Sequence, residues 1–198
     1  MNKARMTTLA TLAGVASVGA ALLLAARSRE PVRNPHVPEP DKDVELDPYL
    51  GRWYEMARYD NHFEQGADAV TAEYSLRPDG LIDIVNRAGR DATGKPRISR
   101  GKARVVPDSR NAKFKVSFFG PFYVGDYWIL DHAEDYSWSI VGEPSGRYLW
   151  ILTRARDPEP ALRSQLLHRV AELGYDVDAL RMTEHAILQE APAPAAPA

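Results

Sequence analysis

The chain has 198 residues, 44% of them hydrophobic, with 25 Lys and Arg against 27 Asp and Glu. This allows one domain with a sizeable core plus tails, and the near balance of charge excludes the basic footprint of a nucleic-acid binder. There is no cysteine, which excludes a disulfide framework, a thiolate nucleophile, a cysteine metal site and a lipid-modified N-terminal cysteine.

Lys3 and Arg5 precede an uncharged stretch from Met6 to Ala26. A positive start and an apolar run mark residues 1–26 as a signal peptide or membrane anchor, and the run is long enough for a spanning helix of roughly 20 residues. No strict Ala-x-Ala occurs, and the nearest match, Gly19-Ala20-Ala21, would leave Leu22-Leu23-Leu24 on the mature terminus. The reading leans to an uncleaved anchor. Arg27, Arg29 and Arg33 balance Lys3 and Arg5 across the run, so charge does not fix its orientation. Residues 27–46 carry Pro31, Pro35, Pro38 and Pro40 and read as a linker, extended and poorly able to pack, that holds the next domain off the membrane. Asp47-Pro48-Tyr49-Leu50 reads as a short helical turn.

From Gly51 to Thr153 the pattern is short strands between turn signals. Strands are expected near 51–60, 69–77, 81–87, 99–106, 112–119, 125–131, 137–142 and 148–154. Turns fall at Arg77-Pro78-Asp79-Gly80, Asp91 to Pro96, Pro107 to Asn111 and Glu143-Pro144-Ser145-Gly146. Eight antiparallel strands in meander order can close into a barrel with room for one small ligand. A helix follows: Asp157 is the expected cap for Pro158-Glu159-Pro160, Leu162, Leu166, Leu167, Val170 and Leu173 form an apolar stripe, and Gly174 stops it. Tyr175 to Met182 is a candidate extra strand. Residues 189–198 are Pro/Ala-rich and expected to be disordered.

Alternation assigns the interior. Trp53, Glu55, Ala57 and Tyr59 share one face of the first strand, opposite Tyr54, Met56 and Arg58. Val70, Ala72 and Tyr74 share a face of the second, Ile82, Ile84 and Asn86 of the third, and Phe114, Val116 and Phe118 of the fifth. These apolar sets should point inward, and small Ala57 and Ala72 beside large rings would leave volume for an acyl chain. A fully packed core would show the same alternation. Glu55 is the inward exception and must be paired, hydrogen-bonded or protonated. Asn86, Arg87 and Tyr127 are its candidate neighbours, and a structural pair near the barrel base is the favoured reading. Phe118-Phe119-Gly120-Pro121-Phe122-Tyr123 is an aromatic loop that could gate a barrel mouth, dip into lipid, mediate a homodimer or fold back over the core. The five histidines are scattered without ligand spacing, and neither a Gly-x-Ser-x-Gly elbow nor a phosphate loop occurs, so no metal, cofactor or catalytic residue is expected.

The opening Gly51-Arg52-Trp53-Tyr54-Glu55, followed in order by Val70 to Leu76, Asn86-Arg87, Gly101-Lys102-Ala103, Lys115 to Tyr123, Tyr127 to Leu130 and Tyr148 to Arg154, resembles the lipocalin family. The likeness is to its bacterial lipocalin branch, akin to apolipoprotein D and temperature-induced lipocalins, and spans about 45 to 188. It implies an all-β, eight-stranded up-and-down barrel over 47–188 with one C-terminal helix packed outside. It implies Arg154 lying across Trp53 to close the base. Asp135-Tyr136 matches the family's second signature in part, with Glu134 where Thr is usual. Functionally it implies binding and transport or storage of a fatty acid or lysophospholipid in a periplasm-facing bacterial envelope, with ligand contacts from Glu55, Ala57, Tyr59, Val70, Ala72, Tyr74, Ile84, Asn86, Phe114, Val116, Phe118 and Tyr127. Many members of that branch carry a lipidated cysteine, which this chain lacks. The alternative is an envelope enzyme acting on a lipid or isoprenoid in a similar barrel, with Glu55, Asn86 and Tyr127 as its only acid/base candidates.

Overall fold

A computed structural model describes residues 30–185. The expected anchor over 1–26 and the tail at 189–198 lie outside them. Helix α1, Leu46–Tyr49, leads into β1, Gly51–Tyr59. Seven strands follow: β2 Thr71–Leu76, β3 Ile82–Ala88, β4 Arg97–Val105, β5 Lys113–Ser117, β6 Gly125–His132, β7 Trp138–Gly142 and β8 Leu149–Thr153. Each pairs antiparallel with the next, and β1 pairs with both β8 and β2, so the sheet closes into an eight-stranded barrel. Closure removes every free edge. A ninth strand, β9 Leu180–Met182, pairs with the upper half of β1, where β2 has diverged.

Helix α2 runs from Pro160 to Glu172 and buries Leu166 and Val170 against the outer wall. It starts later than the sequence suggests, and Asp157 does not cap it; Glu159 stands at the cap position without a side-chain bond. The cause is the pair of prolines: the residue before a proline is pushed out of the helical region, so no turn can form before Pro160. Gly174 ends the helix at φ +84°.

Two apolar clusters result. One fills the barrel interior around Trp53, Tyr74, Ile84, Phe114 and Leu152. The other lies between the wall and α2, around Met56, Ala57, Tyr59, Ile140, Ile151, Leu166 and Val170. A β-bulge in β1 assigns residues to each. Glu55 faces Leu152 across the ladder, but Ala57 faces Ile151 and Arg58 faces Trp150. The extra residue, Met56, reverses the alternation beyond it. Ala57 and Tyr59 therefore lie in the outer cluster, not in the interior, and Arg58 replaces them inside. A second bulge, between Ile129 and Asp131 of β6, lets Asp131 meet Arg169 of α2 at 2.5 Å and Lys42 at 2.8 Å.

Residues 32–46 are bound along the barrel rather than standing off it. The Arg33 and Asn34 amides donate to Gly146 O at 3.0 and 3.1 Å, Val44 N donates to Arg110 O, and Glu45 N donates to the Tyr136 hydroxyl at 2.8 Å. The Asn34 side chain donates to Leu173 O. Proline content made this stretch extended, and an extended backbone with free amides can bind a wall whose turns offer carbonyls.

Candidate ligand-binding site

The closed end of the barrel is sealed by α1 and Arg154. Its guanidinium carbon lies 3.6 Å from the Trp53 ring centroid. Its nitrogens donate to Arg52 O at 2.6 Å and to Pro48, Tyr49 and Leu50 O at 2.6, 3.1 and 2.8 Å. One side chain thus stacks on the indole and satisfies the orphan carbonyls at the end of α1. Gly51, at φ +89°, makes the turn between α1 and β1. Tyr136 takes φ +56° in the neighbouring β6–β7 turn, and Asp135 accepts from Ser137 N at 3.0 Å there.

Above this seal lies a small apolar cavity of about 20 Å³ lined by Leu46, Tyr49, Leu50, Tyr74, Ile82, Ile84, Ala103, Phe114, Val116 and Tyr127. That is room for about one water molecule, far below the roughly 300 Å³ of an ordinary ligand pocket. The Tyr127 hydroxyl joins those of Tyr49 at 2.7 Å and Tyr74 at 3.2 Å, and Ser139 Oγ lies 3.3 Å from the Tyr49 hydroxyl, a polar cluster beside apolar walls. Burial pushes the Tyr49 phenol up to about 12 and raises the Tyr74 and Tyr127 phenols well above their ordinary value. The trio therefore stays neutral and offers hydroxyl donors and acceptors, not charge.

Above the chamber the interior turns polar. Arg58, fully buried, donates to Glu55 Oε1 at 2.5 Å, to Glu64 O at 2.7 Å and to Ala67 O at 3.1 Å. Thr183, just after β9, donates its hydroxyl to Glu55. Trp150 Nε1 donates to Glu64 Oε2 at 2.9 Å, and Phe63 packs on Tyr148 at 5.3 Å between centroids. Arg97 at the start of β4 donates to Phe63 O at 2.6 Å. The β1–β2 loop, residues 60–70, is thus tied across the mouth by Arg58, Trp150, Tyr148 and Arg97. Burial, aided by the charge of Glu64, pushes the Glu55 carboxyl up to about 7 against the opposing pull of Arg58 and Thr183.

The structure brings Ala72, Tyr74, Ile84, Phe114, Val116 and Tyr127 together in or around the chamber. Val70 is buried at the mouth, where its carbonyl accepts from Glu55 N. Asn86 is half-buried with an unpartnered Oδ1, opposite Ala72. Phe118 stands at the rim, 38% exposed, its ring close over Gly101. Ala57 and Tyr59 belong elsewhere, for the reason the bulge gives. Alternation missed Arg58 and gave no hint of Glu64, Trp150 or Thr183. Leu46, Tyr49 and Leu50 lay in plain sight as a helical turn before the first strand, but nothing local said that the turn faces the barrel floor.

A closed antiparallel barrel, sealed at one end by an Arg–Trp stack, apolar within and covered by a loop at the other end, is the architecture of a binding calyx. The family described as a lipocalin-like domain matches residues 44–185, and the chain belongs to it. The chain is 41% identical over 147 residues to the outer membrane lipoprotein Blc of Vibrio cholerae, covering 74% of this chain and 85% of that one. It is 37% identical over 151 residues to temperature-induced lipocalin-1 of Arabidopsis thaliana, covering 72% and 80%. Among solved structures, insecticyanin from the tobacco hornworm Manduca sexta matches with a TM-score of 0.59 at 20% identity, over 74% of this chain and 83% of that one, which speaks for the fold alone.

Proposed function

We propose that this protein binds one hydrophobic ligand with an acyl chain, a fatty acid or lysophospholipid, inside the barrel and carries or stores it in the bacterial cell envelope. The observation that carries this reading is the apolar chamber between Arg154 at the floor and the 60–70 loop at the mouth. Each acyl methylene buried there contributes about 0.8 kcal/mol. The tyrosine trio and the Glu55–Arg58 pair offer polar contacts for a head group. With about 20 Å³ free in this conformation, entry requires the loop to lift and the rings of Tyr74, Phe114 and Tyr127 to rotate. Similarity to proteins named outer membrane lipoprotein supports the envelope setting. With no cysteine to acylate, attachment to the membrane falls to the apolar run before Ala26, on the periplasmic side. Binding rather than catalysis is supported by how the candidate acid/base groups are used: Glu55 is held by Arg58 and Thr183, and Tyr127 by Tyr49 and Tyr74.

Native mass spectrometry with lipid extraction of the purified full chain tests the reading. A co-purifying acyl lipid, displaced by added fatty acid, is expected. A bare mass that does not shift with fatty acids or lysophospholipids would overturn it.

A further inference from the structure

The mouth of the barrel carries exposed apolar groups that ligand binding inside the chamber does not use. Phe119 is 62% exposed, Phe122 59% and Ile98 58%, with Phe118 and Val124 beside them. They come from the 118–124 loop and the first residues of β4, which sit at the same end of the barrel. Burying them would recover free energy that water denies. Their surroundings are cationic. Arg100, Lys102 and Arg104 alternate down the outer face of β4 from Ile98, and Lys102 and Arg104 both lie over the Tyr123 ring, at 5.6 and 4.7 Å. Of the acids on this wall, Asp126 is already paired with Lys115, and Asp83, across the ladder from Lys102, with Arg77. From Arg90 to Asp126 the chain holds nine Lys and Arg against three Asp, within a chain of net charge -2.

We propose that this face is a docking surface for an anionic phospholipid bilayer, with the aromatic loop entering the headgroup region and the β4 cations meeting lipid phosphates. Aromatic tips with basic neighbours are the chemistry of an interfacial contact. The path of the chain agrees. Arg33 and Asn34 are tied to Gly146, in the turn between β7 and β8 at this same end. Five residues stand between Ala26 and Val32, a reach of at most about 20 Å. Because 32–46 is bound to the wall, it adds nothing to that tether. This last argument rests on attachment through the N-terminal run; the patch and its charge do not. Docked this way, the barrel would exchange an acyl ligand with the bilayer directly, without passing it through water.

The absence of cysteine makes the test clean. The full chain carrying Phe122→Cys is labelled with an environment-sensitive fluorophore, and the same is done with Leu76→Cys at the opposite end, where Leu76 is also exposed. Vesicles of phosphatidylcholine, with or without phosphatidylglycerol, are added, and flotation is scored separately to report attachment. The label at 122 should shift to the blue and be quenched by lipid-borne spin labels in the anionic vesicles, and the label at 76 should not. Arg100→Gln with Lys102→Gln should lower the docked-to-undocked ratio about 30-fold, at about 1 kcal/mol for each cation. A label at 122 that stays as wet as that at 76 on floated protein overturns the docking surface. So does shielding that rises with protein concentration in the absence of vesicles, which would assign the patch to a second copy. A chain that does not float through its N-terminal run but still shows the shift would sink the anchor reading and support the docking surface.

Discussion

Glu55 gives the sharpest stability prediction. Its folded carboxyl is pushed from 4.5 to about 7 by burial and by Glu64, so the native state holds a proton that the unfolded chain releases near its ordinary value. A raised acid contributes stability that is fully present below the unfolded pKa and is lost as pH rises through the folded one. The window is therefore about pH 4.5 to 7, and stability should fall across it. At 1.36 kcal/mol for each pKa unit the full swing is at most about 3 kcal/mol. Glu55→Gln keeps the shape and a neutral acceptor for Thr183, and it removes the titration. Urea unfolding of both proteins, followed by tryptophan fluorescence at several pH values, gives the difference directly, because titrating groups remote from Glu55 and Glu64 cancel. The wild type should lose stability relative to Glu55→Gln as pH rises from 4.5 to 7.5. Parallel profiles would refute the reasoning, because Glu55 would then titrate alike in the folded and the unfolded chain.

Other outcomes follow from the same contacts. Arg154→Met should cost about 2–4 kcal/mol in urea unfolding, because the α1 carbonyls and the Trp53 face lose their cation together, and Arg154→Lys should recover only part of it because a point charge cannot bridge four carbonyls. Glu64→Ala removes a bond from Trp150 to a charged acceptor, worth about 1.5 kcal/mol, so stopped-flow release of a fluorescent fatty acid should quicken about tenfold with little change in melting temperature. Gly146→Ala places a methyl 1.8 Å from Asn34 O at φ +66°, so hydrogen exchange at Arg33 and Asn34 should rise sharply while the amides of β7 and β8 stay protected.

The sequence made the barrel legible where alternation ran unbroken. Ile82, Ile84, Ala72, Tyr74, Phe114 and Val116 lie on the faces their spacing predicts, and the eight strands fall within about two residues of their expected limits. It failed where one residue changes the phase. Met56 sits in a bulge, and nothing in Glu55-Met56-Ala57-Arg58 announces it, because Met and Ala suit either face. Alternation therefore placed Ala57 and Tyr59 inside and Arg58 outside, the reverse of what is seen. The error had a visible symptom: a lone inward carboxylate requires a partner, and Arg58, as near in sequence as Arg52, is the one that meets it. Prolines misled twice. In 27–46 they signalled a linker poorly able to pack, but Arg33, Asn34, Val44 and Glu45 are bound along the wall. Pro158 looked like part of a helix start and lies outside the helix, whereas Pro160 opens it. The loop over the mouth could not be seen at all, since its ties run from Glu64 to Trp150 and from Phe63 to Arg97, across long stretches of chain.

The central claim is that an acyl ligand occupies the chamber beneath the loop. Ala103 is buried there, 4% exposed and lining the cavity. Ala103→Phe would take the space of about three methylenes, worth about 2.4 kcal/mol of ligand burial, or about 50-fold in affinity. Titration of a fluorescent fatty acid into the wild type and into Ala103→Phe, with circular dichroism to verify the barrel, is the most direct measurement. One saturable site in the wild type, displaced by unlabelled fatty acid and weakened at least tenfold in an intact Ala103→Phe barrel, is the predicted result. Equal binding by both proteins would place the ligand outside the chamber and contradict the account.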